Sequence, residues 1–217
     1  MALLDLYRGA FADLAARAPH LDPDLPVPAT PGWSAADVYR HLAGVCADVL
    51  DDRTDGAPGA DWTARHVAER RHLSPPGVVE AWRERLPDLY ARLGDRRYAF
   101  MTLDCWHHRH DIAAAAGAAG DRGDAGEVLA LHVGWLARRW PAGLPPLGLR
   151  TPAGTAVAGP SGAVPAATVG APAYELARAV IGRRSLAQWR RYDWSTDPEP
   201  YLPHLVVFTP PAADLVE

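Results

Sequence analysis

The chain has 217 residues, of which 48% are apolar and 22% charged, and its formal net charge is −4. These values are typical of a globular protein with one large domain or two small ones, and they give no reason to expect nucleic acid or an anionic membrane as a partner. No apolar run reaches the roughly 20 residues of a membrane span, the N-terminus does not resemble a signal peptide, and neither cysteine lies in a CxxC pair. We therefore expect a cytoplasmic protein.

The basic residues show a strong bias. All 22 of them are arginine, because the chain contains no lysine, and asparagine is absent as well. Lysine and asparagine have AT-rich codons, so the bias indicates a GC-rich genome, of the kind common among actinobacteria. The bias gives information about the genome that encodes the chain, and none about the chemistry of a site.

The first two thirds of the chain have the apolar spacing of helices. Six helical segments are predicted, over residues 3–18, 34–49, 62–71, 77–93, 98–116 and 127–140. Ser34 and Asp37 have the spacing of a capping box, which predicts the start of the second helix. The proline-rich stretch 19–32 and the polar stretch 51–60 are predicted to be loops.

The composition changes after residue 140, where proline, glycine, threonine and valine become frequent. Short strands are predicted over 147–151, 155–158 and 164–169, followed by a helix over 173–182, a helical turn over 186–191 and an extended segment over 193–217. The whole pattern predicts a mainly α protein. It consists of a four-helix bundle in a first domain, 1–142, and a small α+β C-terminal domain, 143–217.

The segment 103–112 holds three of the nine histidines, two aspartates and a cysteine. Residues four apart share a face of a helix, so Asp104 and His108 point the same way. His41 lies on the apolar side of the second helix, which should face the bundle interior. Helical bundles build metal sites from such inward-facing side chains, and two histidines with one carboxylate form the open ligand set of catalytic zinc and non-haem iron sites.

The spacing alone leaves a second interpretation open. The polar residues of 103–112 would then form a solvated face, and His41 would be a hydrogen-bonded structural residue. Trp106, Ile112 and the alanines of 113–116 favour a core helix instead, in which buried aspartate and histidine need partners or a metal. Cys46, Cys105 and His132 are predicted to be buried structural residues.

Four segments carry a family resemblance. They are Pro31–Leu42 (PGWSAADVYRHL), Asp104–Ile112 (DCWHHRHDI), the pairs Trp62-Thr63 and Arg70-Arg71, and a C-terminal set with Tyr174-Glu175-Leu176, Gly182–Ser185, Gln188 and Asp193-Trp194. In their order along the chain, these segments resemble motifs of the mycothiol-dependent maleylpyruvate isomerase family, which belongs to the DinB-like superfamily. The resemblance is to the actinobacterial type of this family. The resemblance extends over nearly the whole chain and implies a DinB-like four-helix bundle.

The resemblance implies a metal-dependent isomerase or thiol transferase. A divalent metal, usually zinc, with nickel or iron also suited to these donors, would be bound by His41, Asp104 and His108. Asp104 stands where the isomerase has a glutamate, which is one methylene longer. The open metal position would bind mycothiol or a similar small thiol and lower its pKa, so that a thiolate attacks a small electrophilic substrate.

Further site residues are expected around the metal. Asp111 is placed to accept from an imidazole N–H of a ligand. Arg71, Arg183 and Arg184 are candidates for binding carboxylates of the thiol or of the substrate, although surface ion pairs would explain them equally well. Either His107 or His110 could serve as a proton shuttle or as a substitute ligand; His110 is the candidate catalytic residue, although its spacing from His108 should point it away from the metal.

The chain departs from the family pattern at His107, Arg109 and His110, where relatives often have less bulky residues. We expect His107 to lie on a solvated outer face. The expected partners are a small-molecule substrate and a thiol, without nucleic acid or membrane, in a monomer or a homodimer.

Two other functions stay open at this point. The first is a metal enzyme that needs no thiol, such as a hydrolase, lyase or isomerase of a specialised biosynthetic pathway. The second is a non-catalytic DinB-like binding module, which would have neither a metal nor an open pocket.

Overall fold

The computed structural model describes residues 3–217, without the side chain of Arg96. The helices are α1 (Leu3–Arg17), α2 (Ala35–Leu50), α3 (Ala60–Glu69), α4 (Pro75–Arg92), α5 (Ala99–Ala115), α6 (Ala125–Arg138), α7 (Ala173–Val180) and α8 (Leu186–Arg190). The strands are β1 (Leu147–Thr151), β2 (Gly154–Ala158), β3 (Ala167–Gly170) and β4 (Asp193–Trp194). The predicted class, a helical bundle followed by a small α+β part, is confirmed. None of the described helices is long and apolar enough to cross a membrane.

The chain divides into two compact units, the first ending at Gly120 and the second covering Asp121–Val216. The first unit is a bundle of α1, α2, α4 and α5, in which α1 packs on α5, α2 packs on α4 and also contacts α5, and α3 lies against α2. Large apolar side chains fill its centre. Trp82 and Tyr7 are both fully buried, and the indole Nε1 of Trp82 donates to the Tyr7 hydroxyl at 3.0 Å, so the polar atoms of these two residues are paired inside the core.

The start of α2 is fixed by the predicted capping box. The Ser34 Oγ accepts from the amide of Asp37 at 3.4 Å, and the Asp37 carboxylate accepts from the amide of Ser34 at 3.1 Å. These bonds satisfy amides at the helix N-terminus that have no partner within the helix. The cap determines where α2 begins, and therefore which residues of α2 face the bundle.

The second unit is built around a four-stranded sheet with the order β2-β1-β3-β4. β1 pairs antiparallel with β2 and parallel with β3, and β3 pairs antiparallel with β4. The change of composition after residue 140 predicts that α6 belongs to the first domain, with a boundary at 142/143. In the structure α6 packs against α7 and β2 of the second unit.

One histidine of the second unit is buried without belonging to any candidate site. The side chain of His132, on α6, is 2% exposed, and burial lowers its pKa from 6.5 to about 4. This confirms the prediction of a core histidine.

We expect the free energy of unfolding to fall as the pH is lowered from about 6.5 to about 4, because the unfolded chain binds a proton on His132 that the folded chain excludes. The separation of the two pKa values corresponds to on the order of 3 kcal/mol across this range. His132→Leu should remove most of this contribution, measured by urea unfolding at several pH values. His204→Leu, at an exposed histidine of the same unit, should keep the wild-type pH dependence. An unaltered pH dependence in His132→Leu would contradict the assignment.

Candidate metal centre

Two helices of the bundle bring His41, Asp104 and His108 together. His41 is on α2, and the other two lie one turn apart on α5. The His41 Nε2 is 3.2 Å from Asp104 Oδ2, and the His108 Nε2 is 3.5 Å from Asp104 Oδ1. Among the described residues these three form a group in which one donor atom of each lies within 4.8 Å of the others.

The spacing of the donors fits a small divalent cation. Zinc binds imidazole nitrogen and carboxylate oxygen at about 2.0–2.2 Å, so two donors on a tetrahedral ion are separated by roughly 3.4 Å. The observed separations of 3.2 and 3.5 Å match this value. The donor set, two imidazole nitrogens and one carboxylate oxygen, is also the set found in open catalytic sites.

The group is closed on one side by aromatic rings and reaches solvent at Asp104. The Trp33 ring lies 5.1 Å from the His41 ring and runs nearly parallel to the His108 ring at 6.3 Å, measured between centroids. The edge of Trp62 packs against His41 at 6.0 Å. The side chains of the two histidines are 6% exposed, whereas that of Asp104 is 30% exposed. An external ligand would therefore approach beside the carboxylate.

Asp111 lies behind His108, as its spacing predicts. Its Oδ2 is 2.9 Å from the His108 Nδ1, and its side chain is fully buried. The angles of this contact are not those of a hydrogen bond, so the interaction is electrostatic. The contact places a carboxyl group against the ring nitrogen of His108 that faces away from Asp104.

The structure adds two residues that the sequence analysis does not single out, His66 and Asp48. The His66 Nδ1 lies 3.2 Å from the His41 Nδ1, and the His66 Nε2 lies 2.9 Å from Asp48 Oδ2. Arg65 donates to both oxygens of Asp48, at 3.2 and 2.5 Å, and an Arg53 nitrogen lies 3.0 Å from Asp48 Oδ1. The side chains of His66 and Asp48 have no exposed surface.

The sequence does contain a signal for both residues. Asp48 follows His41 by seven residues, and this spacing puts both on one face of α2. His66 follows Trp62 by four residues, and these two form the buried side of α3. A carboxylate two turns from a candidate ligand, on an otherwise apolar helix face, indicates a buried polar network.

Burial and hydrogen bonds set the charges of this pair. Burial lowers the pKa of His66 to about 4, although its bond to Asp48 acts in the opposite direction. Burial raises the pKa of Asp48, but hydrogen bonds from Arg65 and His66 outweigh it, so the pKa lies below its usual value. Near neutral pH the carboxylate is therefore anionic and the His66 imidazole is neutral.

The two histidines that depart from the family pattern are both buried. His107 is 2% exposed, so the expectation that it lies on a solvated face is wrong. His110 is 1% exposed, packs its ring 4.4 Å from that of Trp106 and places its Nε2 3.4 Å from the Arg109 Nε. α5 is buried around most of its circumference, and its polar residues are accommodated by partners rather than by water. The role of His110 as a proton shuttle stays a prediction.

The three candidate arginines differ in their surroundings. Arg71 is exposed, and its carbonyl oxygen accepts from Arg40 at 3.1 Å. Arg183 is half-buried. Arg184 is 2% exposed and binds the carboxylate of Glu175 through two bonds, at 2.7 and 3.1 Å. The guanidinium of Arg184 therefore already holds a carboxylate of the protein, and a role of any of the three in ligand binding stays a prediction.

The chain was compared with known proteins at the level of sequence and of structure. No family model and no curated protein matches its sequence. Two crystal structures share its fold, one of a mycothiol-dependent maleylpyruvate isomerase, with 13% sequence identity and a TM-score of 0.53, and one of a mutant of such an isomerase, with 15% identity and a TM-score of 0.52. Each match covers 96% of this chain and 95% of the other. The predicted architecture, a helical bundle with a small α+β domain, is thereby confirmed, and at these identities the likeness concerns the fold alone.

Neither cysteine has the exposure of a nucleophile. Cys105 and Cys46 are 0% and 1% exposed, and burial raises the pKa of Cys46 to about 12 and that of Cys105 well above its ordinary value. The prediction that both are buried is confirmed. A thiolate used in chemistry at neutral pH would therefore have to come from another molecule.

We expect the native protein to be inert to a thiol-specific reagent such as 5,5′-dithiobis(2-nitrobenzoic acid), because neither sulfur is accessible or ionised. After unfolding in urea, both cysteines of the chain should react. The absorbance of the released thiolate measures the number of reacting groups. Rapid reaction of the native protein would show that Cys46 or Cys105 reaches solvent, and that the chain carries a nucleophile of its own.

Proposed function

We propose that the chain is a metal-dependent, thiol-using enzyme of the isomerase kind, with His41, Asp104 and His108 as the metal ligands. The observation that carries the proposal is this donor group, which has the spacing of a zinc site and lies in a fold shared with solved thiol-dependent isomerases. Zinc is the first candidate metal, and nickel and iron suit the same donors. Mycothiol or a similar small thiol is the proposed cosubstrate.

A bound divalent cation would supply a positive charge that lowers the pKa of an incoming thiol, so that a thiolate is present at neutral pH. The protein supplies the orientation of the reactants. The exposed edge of Asp104 marks the direction of entry, and the Trp33 and Trp62 rings keep water from the side of the histidines. Exclusion of water strengthens electrostatic interactions within the site.

The proposed reaction needs neither an oxidant nor a reductant. The thiolate adds to one carbon of a cis double bond that is conjugated to a carbonyl group, and the π electrons move onto the carbonyl oxygen. The former double bond is now single and rotates. When the electrons return, the same thiolate is expelled and the trans double bond forms. If the adduct is kept and protonated instead, the product is a thioether, and the activity is thiol transfer.

Other parts of the proposal concern the surroundings of this chemistry. We assign His110 as a proton shuttle, Asp111 as the partner that orients His108, and Arg71, Arg183 and Arg184 as carboxylate-binding residues. The proposed partners are a small electrophilic substrate and the thiol, in the cytoplasm, for a monomer or a homodimer. Maleylpyruvate, which the name of the structural neighbour specifies, is the first substrate to assay.

We expect protein purified without chelator to contain about one divalent ion per chain, since three ligands with an open position form one mononuclear site. His108→Ala should lower zinc affinity by more than about 100-fold, because a ligand is lost and not merely a neighbour of a ligand. Elemental analysis and competition with a chromophoric chelator measure both quantities. His72→Ala, at an exposed histidine of the same unit, should bind zinc like the wild type. Metal-free protein whose fold and activity are unaffected by His108→Ala would overturn the proposal, and metal-free protein without any activity would favour the non-catalytic binding module.

A thermal shift experiment separates thiol-dependent from thiol-independent function. Mycothiol at about 100 times its Kd should stabilise the zinc-loaded protein by about 2.7 kcal/mol and raise its Tm by several degrees. Glutathione, which differs in its non-thiol part, should give a smaller shift, and metal-free protein should give none. Zinc-loaded protein that responds to neither thiol would exclude the thiol step and favour a hydrolase, lyase or isomerase that acts without it.

A further inference from the structure

A continuous line of polar contacts runs from the candidate metal centre along the contact between α2 and α3. It begins at the Nδ1 of His41, passes through both ring nitrogens of His66 and ends at the carboxylate of Asp48. Both steps are within hydrogen-bonding distance, at 3.2 and 2.9 Å. Because His66 and Asp48 have no exposed side-chain surface, water does not replace either contact.

The carboxylate of Asp48, at the end of this line, determines which ring nitrogen of each histidine carries a proton. Both oxygens of Asp48 receive bonds from Arg65, so the carboxylate is an acceptor only. The His66 Nε2 must therefore carry a proton and donate it to Asp48. In a neutral imidazole the other nitrogen, Nδ1, then has a free lone pair.

The same reasoning determines which tautomer of His41 fits the contact with His66. Its Nδ1 faces the lone pair of the His66 Nδ1, so the His41 Nδ1 must carry a proton and donate it. The neutral tautomer of His41 that satisfies this bond has its free lone pair on Nε2. That nitrogen is the one that faces Asp104 and the centre of the donor group. The hydrogen bond to His66 thus selects the tautomer of His41 that can bind a metal through Nε2.

We propose that His66 and Asp48 are positioning residues of the metal centre, which hold His41 in the tautomer and ring orientation that binds the cation through Nε2. The inference rests on the proposed function, since it requires the metal ligands assigned there. It deepens that function by adding a hydrogen-bonded imidazole and a buried carboxylate behind one ligand. Partners of this kind raise the basicity of a ligand histidine and restrict its rotation.

A glycine on α2 supports this placement. A Cβ built on Gly44 would lie 2.3, 2.5 and 2.6 Å from three atoms of the His66 side chain, which is closer than real side chains approach. A glycine in a helix interior costs about 1 kcal/mol relative to alanine. α2 therefore contains a helix-weakening residue at the one place where the His66 ring crosses it. Trp62 confines the ring from the other direction, with centroids 4.2 Å apart.

The test compares two replacements of His66. His66→Leu removes the acceptor for His41 and the donor for Asp48, whereas the amide of His66→Gln retains one of each. Affinity for Co²⁺ and Zn²⁺ is measured by competition with a chromophoric chelator, and folding is followed by urea unfolding. We expect His66→Leu to weaken metal binding by about 10- to 100-fold, and His66→Gln to recover most of the loss. A purely structural role would alter unfolding without this difference in metal affinity.

Two glycine variants provide a matched pair that alters no polar group. Gly44→Ala pushes the His66 ring away from its position and should weaken metal binding, with an altered absorption spectrum of bound Co²⁺. Gly9→Ala, in α1, adds a methyl group that meets nothing closer than 3.9 Å and should leave affinity unchanged. If His66→Leu does not fold, Gly44→Ala decides the question.

The failure of this inference differs from the failure of the proposed function. Wild-type protein that binds neither Co²⁺ nor Zn²⁺ overturns the metal centre itself. If the wild type binds metal, and His66→Leu or Gly44→Ala binds it with equal affinity, the metal centre is supported. That result overturns the role of His66 and Asp48. Weakened binding in both variants, with recovery in His66→Gln, supports it.

Discussion

A buried carboxylate has to be paired, and the carboxylate of Asp48 is the one on which the arrangement around the candidate site depends. Its side chain has no exposed surface, and an isolated charge in that position would cost several kcal/mol. Arg53 approaches it from the loop after α2, and Arg65 and His66 approach it from α3. These contacts hold α3 against α2, and they bring the His66 ring behind His41. The donor group thus depends on a charged network between α2 and α3, in which the carboxylate is buried and the arginines reach solvent.

Periodicity was enough to predict the local parts of this arrangement. Apolar spacing predicts the bounds of the first six helices to within two residues, and the Ser34 cap follows from its partner three residues later. Asp104 and His108 share a face because they are one turn apart, and His41 lies among apolar residues of α2 that are buried in the bundle. Each of these inferences requires only the geometry of one helix, which the order of residues determines.

The remaining features depend on contacts between segments that are distant in sequence. The bond from His66 to Asp48 requires α3 to fold back over α2 through the loop 51–59, and no repeat in the sequence specifies that path. Helical spacing predicts which face of α6 is apolar, but not that this face packs on α7 and β2. His107 looks solvated in isolation because histidine and arginine surround it, whereas α5 is covered on nearly every side.

The absence of lysine has a structural consequence beyond codon usage. Arg65 holds Asp48, and Arg184 holds Glu175, each by two bonds from one planar guanidinium. An ammonium group has the same charge but no fork of parallel N–H groups, and it is more strongly hydrated. A lineage whose base composition drifted toward AT would therefore be free to exchange arginine for lysine at exposed positions such as Arg83, but not at these two. Arginines that resist such drift would mark the positions where a carboxylate needs two bonds from one guanidinium.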